Sequence, residues 1–275
     1  QPIFDTQIAA ALTGYGFSIG YASLVNSMLG IHVDKGETRS NWLRRPLSES
    51  QLGYAALDVI HLLPIYFELK KKLAELDRKK WIDEEMFRLI EEASTKEDLS
   101  LYFQRVKGAW RLPSEKLSAL QLVCEWREKE ARDKNKPRSR IIDDKTIIEI
   151  VSSAIQSKED LYEIEGMYPY LIKRYSEKLL DLIKEGLSKP IEEHPAPLSE
   201  PLPRHMGSMI KKLKKIVNMK AELLDIAPEI LVRKKDIEFL VRSIISKENI
   251  KLPDKIAKGW RFDIIGSTLL TSSSD

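Results

Sequence analysis

Apolar residues recur at helical spacing along almost the whole chain, and no segment sustains the period-two alternation of a half-buried strand. A polypeptide patterned this way buries its apolar stripes by packing helix on helix, so the chain is predicted to be mainly α with few strands. Phe4, Ile8, Ala11 and Leu12 share one helical stripe, with Asp5 or Thr6 placed to cap its start and Gly14 beyond its end. Tyr21 to Leu29 repeats the design, with Leu24, Val25, Met28 and Leu29 inward and Gly30 as terminator. A polar loop from Asp34 to Arg45 leads into Pro46-Leu47-Ser48. Ser48 with Gln51 three positions on makes a capping box for a long helix from about Glu49 through Leu73. Pro64 inside that helix removes a backbone hydrogen bond, so a kink or division is predicted near Leu62 and Leu63.

Further along, Ser114 to Arg132 carries Leu117, Leu120, Val123, Cys124 and Trp126 opposite a charged face. Asp143 or Asp144 opens a helix with Ile147, Ile148, Val151 and Ile155; Ser157 with Asp160 caps a short one. Pro169 at a first-turn position precedes Leu171, Ile172, Tyr175, Leu179, Leu182 and Ile183. These segments predict one helical bundle over residues 95–187, set off by a seam near Ala93-Ser94-Thr95. Pro190, Pro195, Pro197, Pro201 and Pro203 then mark residues 188–204 as a linker, expected to act as a semi-rigid spacer, with a long loop pinned to one domain as the competing reading. Helical patterns at Met209 to Val217, Pro228 to Ser246 and Trp260 to Leu270 predict a second bundle over 205–275.

Composition removes several classes of function. The 275 residues are 43% hydrophobic, enough for packed cores and too much for a disordered chain. Lys and Arg number 45 against 42 Asp and Glu, which excludes a strongly cationic nucleic-acid coat and leaves local basic patches possible. One cysteine forbids an internal disulfide, and four scattered histidines lack zinc-type spacing, so a reducing, cytoplasmic setting is expected. No apolar run of membrane-span length and no secretion-signal layout stands out, so no membrane partner is expected, and no protein partner is inferred. Gln1 is no initiator, and an N-terminal part is expected to precede it.

The sharpest local feature is Tyr54-Ala55-Ala56-Leu57-Asp58. Helix positions i and i+4 lie about 6 Å apart on one face, so the phenol and the carboxylate address one point in space. A carboxylate holds hard divalent cations, and a phenolic hydroxyl hydrogen-bonds a metal-bound water. Spacing alone also fits an ordinary surface helix. The run from Asp34-Lys35-Gly36-Glu37 through Asn41-Trp42-Leu43-Arg44-Arg45-Pro46-Leu47-Ser48 to Tyr54 and Asp58, with Phe4-Asp5-Thr6-Gln7 and Gly20-Tyr21-Ala22-Ser23-Leu24-Val25 before it, resembles the C-terminal half of the catalytic domain of the ribonuclease D family. Those enzymes are DEDD exonucleases of the subclass whose third motif is Tyr-x-x-x-Asp. Downstream, Trp110-Arg111-Leu112 and Leu117 through the helix ending near Gly186 resemble a helicase-and-RNase-D C-terminal (HRDC) domain. Leu252-Pro253 and Gly259-Trp260-Arg261 are similar to a second, divergent HRDC-like unit.

The resemblance implies the end of an RNase H-like α/β exonuclease domain at 1–80, followed by two HRDC-type bundles. It implies a 3′-5′ exoribonuclease that trims tRNA precursors and other structured RNA with free 3′ ends, using two divalent metals, magnesium or manganese. Asp58 would be a metal ligand and Tyr54 would orient the attacking water. The family's Asp-x-Glu and its second-motif Asp are expected ahead of Gln1, so these residues alone are expected to be inactive. Lys35, Arg39, Arg44 and Arg45 around Trp42 suit RNA phosphates and a stacked base. Equally, Trp42 packs the loop while the arginines are solvated or paired with Asp34 and Glu37. The basic stretch Lys129 to Arg140 and the lysines at 211, 212, 214 and 215 read either as RNA surfaces or as ordinary charged faces. The other reading from a different class is a non-catalytic nucleic-acid-binding HRDC module.

Overall fold

A computed structural model describes residues 2–34, 36–153, 155–246 and 250–274. Helices and connecting loops account for the described residues, with no strand among them. The chain forms two compact units. One joins the segment up to Thr95 with the segment from Leu202 onward, and the other runs from Lys96 to Pro201.

In the first unit, α1 (Thr6–Leu12) begins where the Asp5 carboxylate accepts the N–H groups of Gln7 at 2.8 Å and Ile8 at 3.0 Å. Helix α2 (Tyr21–Leu29) ends on Gly30, whose φ of 69° is open to a residue without a side chain. Both bonds of the Ser48–Gln51 capping box are made at the start of α3 (Glu49–Ile60). The chain breaks at His61 and resumes as α4 (Leu62–Glu75). Pro64 is then the third residue of a new helix, where its missing N–H removes nothing. Ile65, Leu69 and Leu73 of α4 and Ile82 and Met86 of α5 (Lys79–Ser94) are buried in one core with Ala9 to Leu12, Leu24 and Val25.

The second unit is built on α6 (Ser114–Asp133), α7 (Asp144–Ser153) and α8 (Pro169–Leu187). Asp143 accepts the Thr146 N–H at 3.0 Å at the entry to α7, and Ser157 and Asp160 cap one another's backbone. Leu117, Leu120, Val123, Ile147, Ile150, Ile172, Leu179 and Ile183 share its core. Trp126 meets Tyr175 edge to face at 5.2 Å. Helices α6 and α8 approach so closely at Gly186 that a methyl group there would overlap the Ala119 backbone. The proline-rich stretch lies on this unit rather than standing free. Leu198 packs on the core, and Pro195 to Ser199 line a cleft of 380 Å³ with Leu101, Phe103, Gln104 and Gln121. The pinned-loop reading holds for this part of the linker because one leucine among the prolines finds an apolar seat.

The remaining helices are α9 (Gly207–Leu223), α10 (Pro228–Leu231), α11 (Lys234–Ile245), α12 (Asp254–Ala257) and α13 (Ser267–Ser274), with a π-helical turn at Phe262–Gly266. Sequence reasoning set residues 205–275 apart as a bundle of their own. In the structure Leu213, Val217, Leu231, Leu240, Ile256 and Trp260 enter the same core as α1 to α5. Polar ties explain why. Arg78 donates to the carbonyls of Leu12 at 2.6 Å and Leu224 at 2.5 Å. Glu85 accepts from Trp260 Nε1 at 2.9 Å and from both terminal nitrogens of Arg261 at 2.5 and 3.1 Å, while Trp260 stacks on Trp81 at 4.6 Å.

Candidate active site

Helix α3 presents Tyr54 and Asp58 one turn apart, both half-buried. The Tyr54 hydroxyl lies 3.2 Å from Thr38 Oγ1, and its ring meets Trp42 at 5.8 Å with the planes tilted by 53°. Trp42 is fixed in turn, since its indole N–H donates to the Glu37 carbonyl at 3.1 Å. Gln51, the buried residue of α3, donates to Ser40 Oγ at 3.0 Å and to the Asn41 carbonyl at 3.2 Å. Glu37 accepts the Ser50 hydroxyl at 2.6 Å. That bond, with a second hydroxyl from Ser40, holds its carboxyl below the usual carboxylate range. The loop is thus laced to the first turns of α3, and the lacing sets the Tyr54 ring.

Asp58 faces a different neighbour. The Tyr21 hydroxyl donates to the Leu57 carbonyl at 2.5 Å. Desolvation raises the Tyr21 phenol above its ordinary value, a backbone bond at His61 opposes this, and the negative charge of Asp58 adds to the rise. Trp42 packs within this loop, and of the two states offered for its arginines, solvated or paired with Asp34 and Glu37, the geometry corresponds to the solvated one. Asp34 accepts the Gly36 N–H at 3.1 Å, and Arg45 donates to the carbonyls of Trp42 at 2.8 Å and Arg44 at 2.9 Å. Arg39 and Arg44 are exposed, with no ion pair among the described residues. Lys35 lies outside the described residues. Sequence reasoning missed Thr38 and Tyr21 as neighbours of the pair; Tyr21 acts across 36 positions and Thr38 across 16, beyond any local spacing signal.

Asp58 is a lone carboxylate. Among the described residues no three His, Cys, Asp or Glu side chains converge to hold a metal. A divalent ion needs several convergent oxygens, so the residues present do not by themselves fit a metal centre. The outer face of α3 and α4 is apolar and open, with Leu52, Val59, Ile60, Leu63 and Phe67 all exposed. Helix α1, by contrast, is buried against α4 and α5. The open face also makes Glu49–Glu75 long and apolar enough, by length and composition, to cross a membrane, against the expectation of no such run. The stretch is divided at His61, keeps Glu68 and Lys70 to Lys72 on its polar side, and sends Ile65, Leu69 and Leu73 into the core.

Residues 1–74 match the 3′-5′ exonuclease domain family, and residues 116–183 match the HRDC domain family. Together these matches define the class: a 3′-5′ exonuclease segment joined to an HRDC bundle. Over 98% of its length the chain is 38% identical to ribonuclease D of Pseudomonas paraeruginosa, of which it covers 72%. It is 35% identical to ribonuclease D of Granulibacter bethesdensis, covering 67% of that protein. The crystal structure of Escherichia coli RNase D, an exoribonuclease involved in structured RNA processing, superposes over 100% of this chain and 73% of its own with a TM-score of 0.85 at 28% identity. The chain belongs to the ribonuclease D family of 3′-5′ exoribonucleases. A binding module apart from any nuclease is not favoured, because the likeness runs through the exonuclease segment as well as the HRDC bundle.

Proposed function

We propose that this chain acts on the 3′ ends of tRNA precursors and other structured RNA in the cytoplasm, with Tyr54 and Asp58 facing the scissile end. The observation that carries the reading is the Tyr54–Asp58 pair one turn apart on α3, its tyrosine set by Thr38 and Trp42, inside the segment that matches the exonuclease family. Family membership implies dependence on divalent metal, with magnesium or manganese, two per site, proposed for the complete centre. Asp58 supplies one carboxylate toward it. The Tyr54 hydroxyl, steadied by Thr38 and by the Trp42 ring, can hold a water or a phosphate oxygen by a hydrogen bond. Arg39 and Arg44 extend from the same loop, where exposed guanidinium groups suit the phosphates of an incoming strand. Cys124 fits a reducing setting as an inert core residue, its thiol pushed up to about 12 by burial.

The lone carboxylate leads to a definite expectation. Residues 1–275 by themselves bind a tRNA precursor in a salt-sensitive gel shift and release no 5′-mononucleotides in magnesium or manganese. Metal-dependent release by the purified chain would contradict the second statement, and absence of a shift at low salt would contradict the first.

A further inference from the structure

Two tyrosines of the second unit are spent on neither core nor hydrogen bond. Tyr168 and Tyr170 are 59% and 65% exposed, while Met167 and Leu171 on either side of them enter the core. Their rings lie 6.1 Å apart with planes only 4° from parallel, and neither hydroxyl has a hydrogen-bond partner among the described residues. Pro169 sits between them at the first position of α8, where its fixed φ restricts the backbone that carries the two rings. Two near-parallel rings facing solvent offer a flat partner an apolar surface on which to stack.

The surface next to the pair is cationic. Arg174 follows Tyr170 by one helical turn, about 6 Å along α8. Its guanidinium lies over the Tyr175 ring at 5.5 Å. Desolvation, and after it the charges of Arg174 and Lys136, keep the Lys134 ammonium below the usual lysine range, so these three cations crowd one another. Lys134 is paired with Glu130, whereas Arg174 and Lys136 have no ion pair among the described residues. Lys136 also borders a cleft of 570 Å³ shared with Glu128, Arg132 and Arg138, whose arginines are paired with Glu97 and Glu128. Tyr162 is exposed as well, but Glu159 and Glu163 beside it make a poor approach for a polyanion, whereas Glu165, nearer Tyr168, is paired with Lys145.

We propose that Tyr168 and Tyr170 form a stacking platform for single-stranded RNA, with Arg174 and Lys136 receiving the phosphates of the stacked nucleotides. Parallel rings beside unpaired cations match a polymer that alternates flat bases with anions, and every base offers a face to stack. The proposal rests on the RNA-binding reading of the chain and gives the second unit its own contact with the strand.

Fluorescence anisotropy of a dye-labelled oligoadenylate, titrated with the full chain at several salt concentrations, tests it. The Y168A/Y170A chain is expected to bind at least about fivefold more weakly with the salt slope unchanged. The Y168F/Y170F chain is expected to bind like the parent, and R174A to shallow the slope by about one unit. Both tyrosines are exposed, so the melting curve should not move. Equal binding by the Y168A/Y170A chain would overturn the platform alone and leave the rings to a protein contact. Loss of binding in Y168F/Y170F would overturn stacking in favour of the hydroxyls. No binding by the parent chain would overturn the platform together with the RNA-binding reading on which it rests.

Discussion

Donors from Trp260, Arg261 and Arg88 converge on Glu85 in the first unit. Burial works against its charge, but Arg261, Trp260 and Arg88 outweigh that and hold its carboxyl below the usual carboxylate range. A depressed folded-state value stabilises above the unfolded value and is lost as pH falls through the folded one. The first unit should therefore weaken below about pH 4, and Glu85→Ala, which strands Arg261 in the core, should cost about 3–5 kcal/mol in urea denaturation followed by tryptophan fluorescence. At the nuclease end, R39A/R44A should shallow the salt dependence of RNA binding by about two units if both guanidiniums touch phosphate. Tyr54, Asp58 and the loop before them were legible because their signal is local: one helical turn, one capping box, one run of polar residues. The Glu85–Arg261 pair was not, since its members are 176 positions apart and each alone reads as an ordinary surface charge.

Among the elements, the division of the long helix at His61 was legible from Pro64, because a missing backbone donor acts on its own turn whatever the tertiary context. The α6–α8 contact was legible only as two amphipathic stripes; nothing in the spacing marked Gly186 as the point of closest approach. Gly186→Ala should destabilise the second unit by at least about 1–3 kcal/mol in thermal denaturation, since the obstructing atoms belong to the Ala119 backbone and cannot rotate away. The proline-rich stretch misled in part because composition describes stiffness and not seating. Proline content predicted extended backbone, and the position of Leu198 decided where that backbone lies.

For the whole molecule, family and fold class were legible in the sequence, while the partnership between its two ends was not. Helical periodicity shows that α9 to α13 have faces to bury, and it cannot say against what. The answer is the core of α1 to α5, reached through Arg78, Glu85 and the Trp81–Trp260 stack. A chain ended at Pro201 should therefore lose the cooperative unfolding of the first unit and bind a hydrophobic dye, because Trp81 loses the Trp260 ring stacked on it and the shared core loses the side chains of α9 to α13. The central claim is that Tyr54 and Asp58 belong to a nuclease centre. Its most direct test is the rate of mononucleotide release from RNA 3′ ends by an enzyme joining these residues to the family's remaining carboxylate motifs. Asp58→Asn should slow that rate by more than about 100-fold with the unfolding midpoint unchanged, since the side chain is half-exposed and anchors no core contact. A variant that keeps the parent rate would contradict the account.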